Sequence, residues 1–272
     1  VKNRLINILS DTCEPLMALN AITFDFIFDY IKKHTDIKTI FSGEGSDEIF
    51  AGYKRYHTIL QRYNKEKNLN LFLVSLNYLS IERLKKIKKN FKYIIPPLRK
   101  KLLKSLLSKN PLNKYMELDQ ATFLPPTLEK VDGLLRKYSL ELRSPFCDKN
   151  VIEFANNLEA KDRINKHKGI IYQKFILRKV AEQFMSNKIV WNTKKWQFHF
   201  PSAQFLHQGV LKKLFKMHIL KNSFISKYFY IKKIYELLKV HEPKKWSKND
   251  HSNTLERLLI IEIWFKLMRK YI

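Results

Sequence analysis

One short stretch, residues 41–53, restricts what this chain can fold into more than any other part of the sequence. It reads Phe-Ser-Gly-Glu-Gly-Ser-Asp-Glu-Ile-Phe-Ala-Gly-Tyr. Residues 37–41 form a β-branched and aromatic run, which predicts a buried strand. Apolar residues after the turn recur at helical spacing, which predicts a helix from Ser46 to about Asn64. Since the glycines between them permit a tight turn, the sequence predicts a strand, a turn and a helix in succession.

This predicted turn is unusually acidic. Glu44, Asp47 and Glu48 place three carboxylates within five residues, and these repel one another unless a cation or a catalytic role occupies them. Backbone amides at a helix start attract phosphate oxygens. The combination predicts a magnesium–phosphate site. The alternative is a solvated turn with an acidic helix start, because acids also stabilise helix N-termini.

The complete string Ser-Gly-Glu-Gly-Ser-Asp-Glu-x-Phe-x-Gly-Tyr resembles the signature of the synthetase domain of glutamine-dependent asparagine synthetases. The resemblance implies an α/β fold with a parallel sheet, of the adenine nucleotide α-hydrolase type. This chain would be the C-terminal part of that domain over residues 1–272, and this part would be mostly α-helical. Its most basic segment, residues 83–110, would be a variable insert.

A second block of resemblance covers residues 118–148. Prolines near Thr122 open a predicted helix, where the first turn tolerates them. The family shows Lys-x-Asp-Arg-x-Ser-Met and then Glu-x-Arg-x-Pro-Phe-x-Asp. We expect Glu141 and Arg143 to form a buried ion pair and Asp148 to be a helix N-cap. The other residues that match the two family patterns are Lys130, Asp132, Pro145 and Phe146.

The same block departs from the family at three positions. Gly133 replaces the Arg, and Leu135 and Arg136 replace the Ser-Met pair. Residues of this helix line the nucleotide and substrate pocket in the family. The departures therefore leave the ligand, and activity itself, open.

A third block runs over residues 166–201. Lys174 begins a segment that resembles the family's Lys-x-x-Leu-Arg helix. Lys194 follows twenty residues later, at the position of the family's lysine that holds pyrophosphate and stabilises the reacting acyl-phosphate. Lys195 is the alternative for that position, and Asn192 replaces an Arg of the family. In a chain with so many lysines, any single lysine is more often solvated than functional. The spacing between Lys174 and Lys194 and the loop ending at Pro201 favour these two as site residues.

The resemblance implies a two-step reaction that uses ATP and Mg²⁺. ATP activates the side-chain carboxylate of aspartate as an acyl-adenylate, and ammonia from glutamine then attacks it. By the resemblance, Asp47 is a magnesium ligand, Glu44 is the catalytic base or the carboxylate that orients the nucleophile, and Lys174 and Lys194 contact phosphates. Glu48 supports the turn. The remaining site residues supply the turn and its amides: Ser42, Gly43, Gly45 and Ser46.

Two parts of the family pattern are not found in the chain. Upstream, such enzymes carry a Ser-Gly-Gly-x-Asp-Ser loop that grips the ATP pyrophosphate, and before it a glutaminase domain with an N-terminal cysteine. We expect these missing segments to be partners of this chain, which would begin inside a longer protein. A homodimer is also compatible with the resemblance. A parallel sheet without its first strands would expose an apolar edge.

The net charge of +27 raises the question of a polyanionic partner. The basic residues comprise 41 Lys and 11 Arg, whereas nucleic-acid binders more often use the planar fork of Arg. The excess of Lys, Ile, Asn, Phe and Tyr is more typical of compositional drift than of nucleic-acid binding. Nucleic acid or an anionic membrane surface remains the alternative.

The two cysteines, Cys13 and Cys147, lack metal-ligand spacing and predict reduced thiols. No apolar run is long enough to span a bilayer, and no signal peptide is found. These features favour a cytoplasmic protein.

Three functions therefore compete. The first is asparagine synthesis. The second is another ATP-dependent amide-bond formation, as in β-lactam synthetase-like or peptide-cyclising relatives. The third is a degenerate, non-catalytic module that binds a polyanion.

The remaining pattern predicts four segments. Leu19–Lys33 is an amphipathic helix with a core stripe of Ile22, Phe26, Ile27 and Ile31. Residues 205–238 form two helices, residues 241–252 a polar linker, and residues 254–271 an apolar closing helix anchored by Trp264.

Overall fold

The computed structural model describes residues 1–12, 14–16, 18–63, 81–92, 101–102, 111–192, 200–243 and 247–269. Most of the basic insert, Cys13, Lys194 and Lys195 lie outside the described residues. None of the described helices combines the length and the apolar character needed to cross a bilayer.

The described part is mostly helical. The helices of its first half are α1 (Lys2–Thr12), α2 (Asn20–His34), α3 (Ser46–Ile49), α4 (Lys54–Tyr63), α5 (Ile81–Ile87), α6 (Pro111–Thr122) and α7 (Leu124–Arg136). The later helices are α8 (Lys149–Asn156), α9 (Ala160–Arg163), α10 (Phe175–Ala181), α11 (Asn187–Val190), α12 (Ser202–His207), α13 (Val210–His218), α14 (Ile231–Lys239) and α15 (Ser252–Met268). Two 3-10 helices cover Pro145–Cys147 and Phe224–Lys227. The strands are β1 (Thr39–Phe41), β2 (Glu141–Arg143), β3 (Ile164–His167) and β4 (Ile170–Gln173).

Strands β1 and β2 form a parallel pair, with Thr39 opposite Glu141 and Phe41 opposite Arg143. Because both strands run the same way, the turn after β1 and the 3-10 helix after β2 lie at the same edge of the sheet. The amide of Ser42 extends the ladder by donating to the carbonyl of Arg143 at 2.8 Å. Strands β3 and β4 form an antiparallel hairpin.

The predicted strand before the acidic turn is confirmed at residues 39–41, but its predicted burial is wrong. Phe41 is 75% exposed. The reason is the alternation of side chains along β1: Ile40 packs against the main core, so Thr39 and Phe41 lie on the opposite, exposed face.

The single helix predicted from Ser46 to Asn64 is also wrong, because the chain interrupts it. Helix α3 ends at Ile49, and α4 begins at Lys54. Between them Ala51 adopts a left-handed conformation with φ 57°. The break lets the chain turn at residues 50–53 before it continues as α4.

The largest core cluster joins α1, α2, α7, α13 and α15. The prediction for α2 is partly wrong: Ile22 is buried and Ile31 packs at the core margin, but Phe26 and Ile27 are exposed. The buried face instead includes Asp25, whose carboxylate accepts hydrogen bonds from Arg4 and from the Tyr138 hydroxyl. A buried charge on the core face cannot be read from apolar periodicity.

The C-terminal segments differ from the prediction in two ways. Residues 202–239 form three α-helices and a 3-10 helix rather than two helices, and Gly209 separates α12 from α13 with φ 135°. The predicted polar linker contains three buried residues, His241, His251 and Ser252. The closing helix is confirmed as α15, and Trp264 packs against the core as predicted.

Candidate active site

The acidic turn between β1 and α3 is held by its own serines. The Ser42 hydroxyl accepts from the amide of Glu44 at 3.0 Å, and the Ser46 hydroxyl donates to the carbonyl of Gly43 at 2.7 Å. Gly45 has φ 87°, and a Cβ there would lie 2.7 Å from the sulfur of Cys147. Glycine is therefore required at position 45 by both conformation and space.

Lys174 reaches this turn from far along the sequence. Its Nζ lies 2.6 Å from Asp47 Oδ1 and donates to the Ser46 hydroxyl at 2.8 Å. Lys174 sits at the start of α10 with a left-handed φ of 53°. The β3–β4 hairpin precedes it directly, so this hairpin and α10 position the ammonium against the turn. The structure thus brings three predicted site residues into direct contact.

Gly52 is a site residue that the sequence reasoning did not single out. A Cβ at Gly52 would lie 1.9 Å from Asp47 Oδ1 and 2.3 Å from Lys174 Cε. Only glycine therefore leaves room for the pair between Asp47 and Lys174. The signal that could have found it was the Gly-Tyr that ends the acidic string.

Glu44 is half-buried beside the same pair. Burial raises the pKa of its carboxyl, and the nearby charge of Asp47 raises it too, while Lys130 and Lys174 oppose these effects. Lys130 projects from α7, and burial lowers the pKa of its ammonium. Lys130 is the second residue that the sequence reasoning left without a site role, although it was noted as a match to the family pattern.

Glu48 is buried beneath the turn. The Tyr53 hydroxyl donates to Glu48 Oε1 at 2.6 Å, and burial raises the pKa of both groups. The amide group of Gln120 also approaches the Glu48 carbonyl, at 3.4 Å. These contacts fit a supporting role for Glu48.

The second block of sequence resemblance lies next to the turn. Glu141 and Arg143 pair at 2.7 Å as predicted, but the predicted burial is wrong, since both side chains are more than half exposed. They flank Leu142, which packs against the main core, so both lie on the opposite face of the strand. Asp148 is confirmed as the N-cap of α8, because its Oδ1 accepts from the amides of Asn150 at 2.8 Å and Val151 at 3.4 Å.

The three departures in α7 have different surroundings. Leu135 is completely buried in the main core, so its apolar character follows from packing. Arg136 is exposed and pairs with Asp132 one helical turn earlier. A Cβ at Gly133 would meet nothing within 4 Å, so the space around it is open.

The fourth departure, Asn192, follows α11. Its backbone amide donates to the carbonyl of Ile189 at 3.2 Å.

The residues present are compatible with magnesium only as a shared site. The described residues contain no group of three or more His, Cys, Asp or Glu side chains that could hold a metal alone. Mg²⁺ bound with a nucleotide needs only one or two protein carboxylates, because phosphate oxygens and water supply the other ligands. Asp47 could supply such a carboxylate.

An acidic turn after a parallel strand, met by a distant lysine, defines a site suited to a phosphorylated ligand at a sheet edge. Residues 2–266 match the protein family described as asparagine synthase. The chain belongs to the asparagine synthase family. Family membership implies an α/β fold of the adenine nucleotide α-hydrolase type, with which the helices and small sheets of the described part are consistent.

Two curated relatives come from Bacillus subtilis (strain 168). The chain is 26% identical to asparagine synthetase [glutamine-hydrolyzing] 1 over 300 residues, which cover 97% of this chain and 46% of the relative. It is 29% identical to asparagine synthetase [glutamine-hydrolyzing] 3 over 174 residues, which cover 60% of this chain and 26% of the relative. The chain thus spans less than half the length of either relative.

Proposed function

We propose that this chain supplies part of the active site of an ATP-dependent synthetase that forms asparagine from aspartate. The observation that carries the proposal is the contact between Lys174 and Asp47 at 2.6 Å, which joins the acidic turn to a distant cation. Family membership supports the reaction class. The names of the two relatives support asparagine as the product.

The reaction proceeds in two displacements. A carboxylate oxygen of aspartate attacks the α-phosphorus of ATP, the bond to the bridging oxygen breaks, and pyrophosphate leaves. Ammonia then attacks the acyl carbon of the adenylate, AMP leaves with the electrons of the carbon–oxygen bond, and the nitrogen loses a proton to a base. Both steps need neutralisation of phosphate charge, and the second needs a proton acceptor.

The residues of the turn meet these needs. Asp47 would hold Mg²⁺ together with the phosphates, and bound magnesium would supply charge neutralisation. Lys174 is held in place by Asp47 and the Ser46 hydroxyl, so its ammonium is preorganised for phosphate oxygens. Glu44 is the proposed base. Lys194 is proposed as a further phosphate contact from outside the described residues.

The remaining turn residues have a supporting role in the proposal. Ser42, Gly43 and Gly45 set the path of the backbone and present its amides. The upstream phosphate loop and the glutaminase that delivers ammonia are proposed as the partners of this site.

One observation favours a second candidate, a relative that joins a different carboxylate and amine. Gly133 stands where the family pattern has Arg, and the space around it is open. A pocket without that guanidinium can accept a larger or less anionic substrate than aspartate.

Pyrophosphate release by the full-length protein tests both candidates. The protein is supplied with ATP, Mg²⁺ and glutamine or ammonia, and release is compared for aspartate and for other carboxylates. Release that depends on aspartate supports the first candidate, whereas release with another carboxylate alone supports the second. Release with none of them contradicts the proposed function.

We expect Asp47→Asn to reduce this release by about a hundredfold or more, because it removes the carboxylate that is proposed to hold Mg²⁺ and that pairs with Lys174. Asp36→Asn is the control, since Asp36 is an exposed aspartate in the loop before β1. Circular dichroism verifies that both variants are folded. Turnover of the Asp47→Asn variant equal to that of the control would remove Asp47 from the site.

A further inference from the structure

Tyr53 ties the break between α3 and α4 back onto α3. Its hydroxyl donates to Glu48 Oε1 at 2.6 Å, and the two residues are five positions apart along the chain. Glu48 is 1% exposed, so its carboxylate has almost no access to water. Burying a carboxylate costs free energy unless a donor compensates it, and hydrogen bonds of this kind are strong. We call this bond the Tyr53–Glu48 clamp.

The clamp encloses the residues that leave room for the pair between Asp47 and Lys174. Ala51 has a left-handed φ of 57° there, a conformation that alanine keeps only where neighbouring contacts enforce it. The amide of Gly52 donates to the carbonyl of Asp47 at 2.9 Å. The Gly52 backbone also packs directly against the charged pair, since a Cβ there would collide with both side chains. A shift of Gly52 therefore changes the space available to both charges.

The ring of Tyr53 is held from outside the acidic turn. The guanidinium of Arg55 stacks over it, with Cζ 3.9 Å from the ring centre, and Phe123 meets it edge-on with the ring centres 6.1 Å apart. Arg55 in turn donates to Asp119 Oδ2, from Nε at 3.2 Å and from Nη2 at 2.7 Å. Asp119 belongs to α6 and is 2% exposed. The clamp thus connects the acidic turn to a helix of the second core cluster.

We propose, resting on the function proposed above, that Tyr53 is a positioning residue for the phosphate site. Its hydroxyl keeps residues 50–53 folded against α3, and this keeps Gly52 beneath Asp47 and Lys174. Without the clamp, the left-handed backbone of Ala51 relaxes and the Gly52 backbone moves with it. Lys174 then loses the position from which it meets phosphate oxygens. Tyr53 acts through this geometry and takes no part in the chemistry.

Pyrophosphate release by the full-length protein tests this role. Tyr53→Phe removes the hydroxyl and keeps the ring between Arg55 and Phe123. We expect kcat to fall by about tenfold or more, because small displacements of preorganised groups slow a reaction. The KM for the carboxylate substrate should stay unchanged, since the charged pair acts on phosphates. Glu48→Gln retains an oxygen that can accept from the Tyr53 hydroxyl, so it should lose less activity than Tyr53→Phe.

Tyr138→Phe is the matched control. The Tyr138 hydroxyl donates to Asp25 Oδ1 at 2.7 Å, and Asp25 is as deeply buried as Glu48. This bond joins α2 to the residues after α7, so its loss should lower stability and leave kcat as it is. A merely structural role of Tyr53 predicts the same outcome for both tyrosine variants. A folded Tyr53→Phe protein with the kcat of the control would overturn the proposal, and so would a Glu48→Gln protein that loses as much activity as Tyr53→Phe.

Amide hydrogen exchange separates this inference from the proposed function, because it needs no substrate. The Gly52 amide is protected by its hydrogen bond to the Asp47 carbonyl. We expect this protection to fall by about tenfold more in Tyr53→Phe than in Tyr138→Phe, because only the first variant frees residues 50–53 to open locally. That difference supports the inference even if no carboxylate substrate gives pyrophosphate. Equal protection of Gly52 in the two variants overturns it even in an active synthetase.

Discussion

Gly52 shows that a residue without a side chain can decide the geometry of a charged pair. The pair between Asp47 and Lys174 occupies the space that a Cβ at this position would need. Both groups are part of the proposed phosphate site, so an error of about 1 Å in their position affects the chemistry directly. At the residue scale, the site therefore depends on what is absent at position 52 as well as on the charges beside it.

We expect Gly52→Ala to lower pyrophosphate release by about a hundredfold, because the new methyl group displaces Asp47 or Lys174. Turnover of the full-length variant measures this loss. Asp36→Asn is the control, since Asp36 is exposed in the loop before β1 and outside the proposed site. Normal turnover in a folded Gly52→Ala protein would show that the pair does not need its present position.

Most of the charged site residues could be found from the sequence, and two positions could not. Glu44, Asp47 and Lys174 stand in strings whose spacing is specific. Gly52 and Lys130 are different, because their place beside the acidic turn depends on how other elements pack against it. A glycine kept for space and a lysine kept for its charge look ordinary in a chain with 41 lysines.

Helix α7 carries a glycine in its interior that packing does not require. Gly133 lies between the buried residues Val131 and Leu134, yet a Cβ would find open space. We expect Gly133→Ala to raise the free energy of unfolding by about 0.5–1 kcal/mol, because alanine loses less backbone entropy in a helix. Urea unfolding measures the change. A decrease in stability would mean that the space is filled.

Helix α8 is stabilised by its N-cap residue, so a change there should lower stability. Asp148 accepts from two amides at the helix start. Replacing it by alanine should lower the free energy of unfolding by about 1 kcal/mol, whereas Asp148→Asn, which can still cap, should cost less. Thermal unfolding of the two variants side by side makes the comparison. Equal losses would indicate that the negative charge, rather than capping, stabilises this end.

At the level of elements, the sequence predicted the existence of helices better than their limits. Helix α15 is apolar enough to be recognised from its pattern alone. The interruption between α3 and α4 was not recognised, because Ala51 in a left-handed conformation has no sequence signal of its own. The prediction of the core face of α2 was partly wrong for a related reason, since that face includes the buried charge of Asp25.

At the scale of the whole molecule, two buried histidines join the C-terminal helices. His241 bonds the carbonyl of Ala203 through Nε2 at 2.8 Å and accepts from the amide of His251 at 3.1 Å. His251 Nδ1 is buried and has no hydrogen-bond partner within the described part of the chain. Burial lowers the pKa of His251 to about 4, and the charges of Arg83 and His241 add to this effect.

The lowered pKa of His251 predicts that the folded protein loses stability in acid. Between pH 6.5 and about 4 the unfolded chain binds a proton at His251 that the folded protein does not, so stability falls as the pH falls through this window. We expect the melting temperature to decrease less steeply over this range in His251→Gln than in the unchanged protein. His34→Gln, at an exposed site, should keep the original slope. The same dependence of melting temperature on pH in all three proteins would contradict the lowered pKa of His251.

The whole account depends on the acidic turn and Lys174 holding the phosphates of ATP together. Equilibrium binding of Mg²⁺·ATP to the full-length protein, measured by titration calorimetry, tests this most directly. Lys174→Met should bind at least about tenfold more weakly, as expected for loss of a charge-assisted hydrogen bond. Lys149→Met, which removes an ammonium whose side chain is 83% exposed, should bind as the unchanged protein does. Equal affinity in the Lys174→Met variant and the unchanged protein would contradict the account.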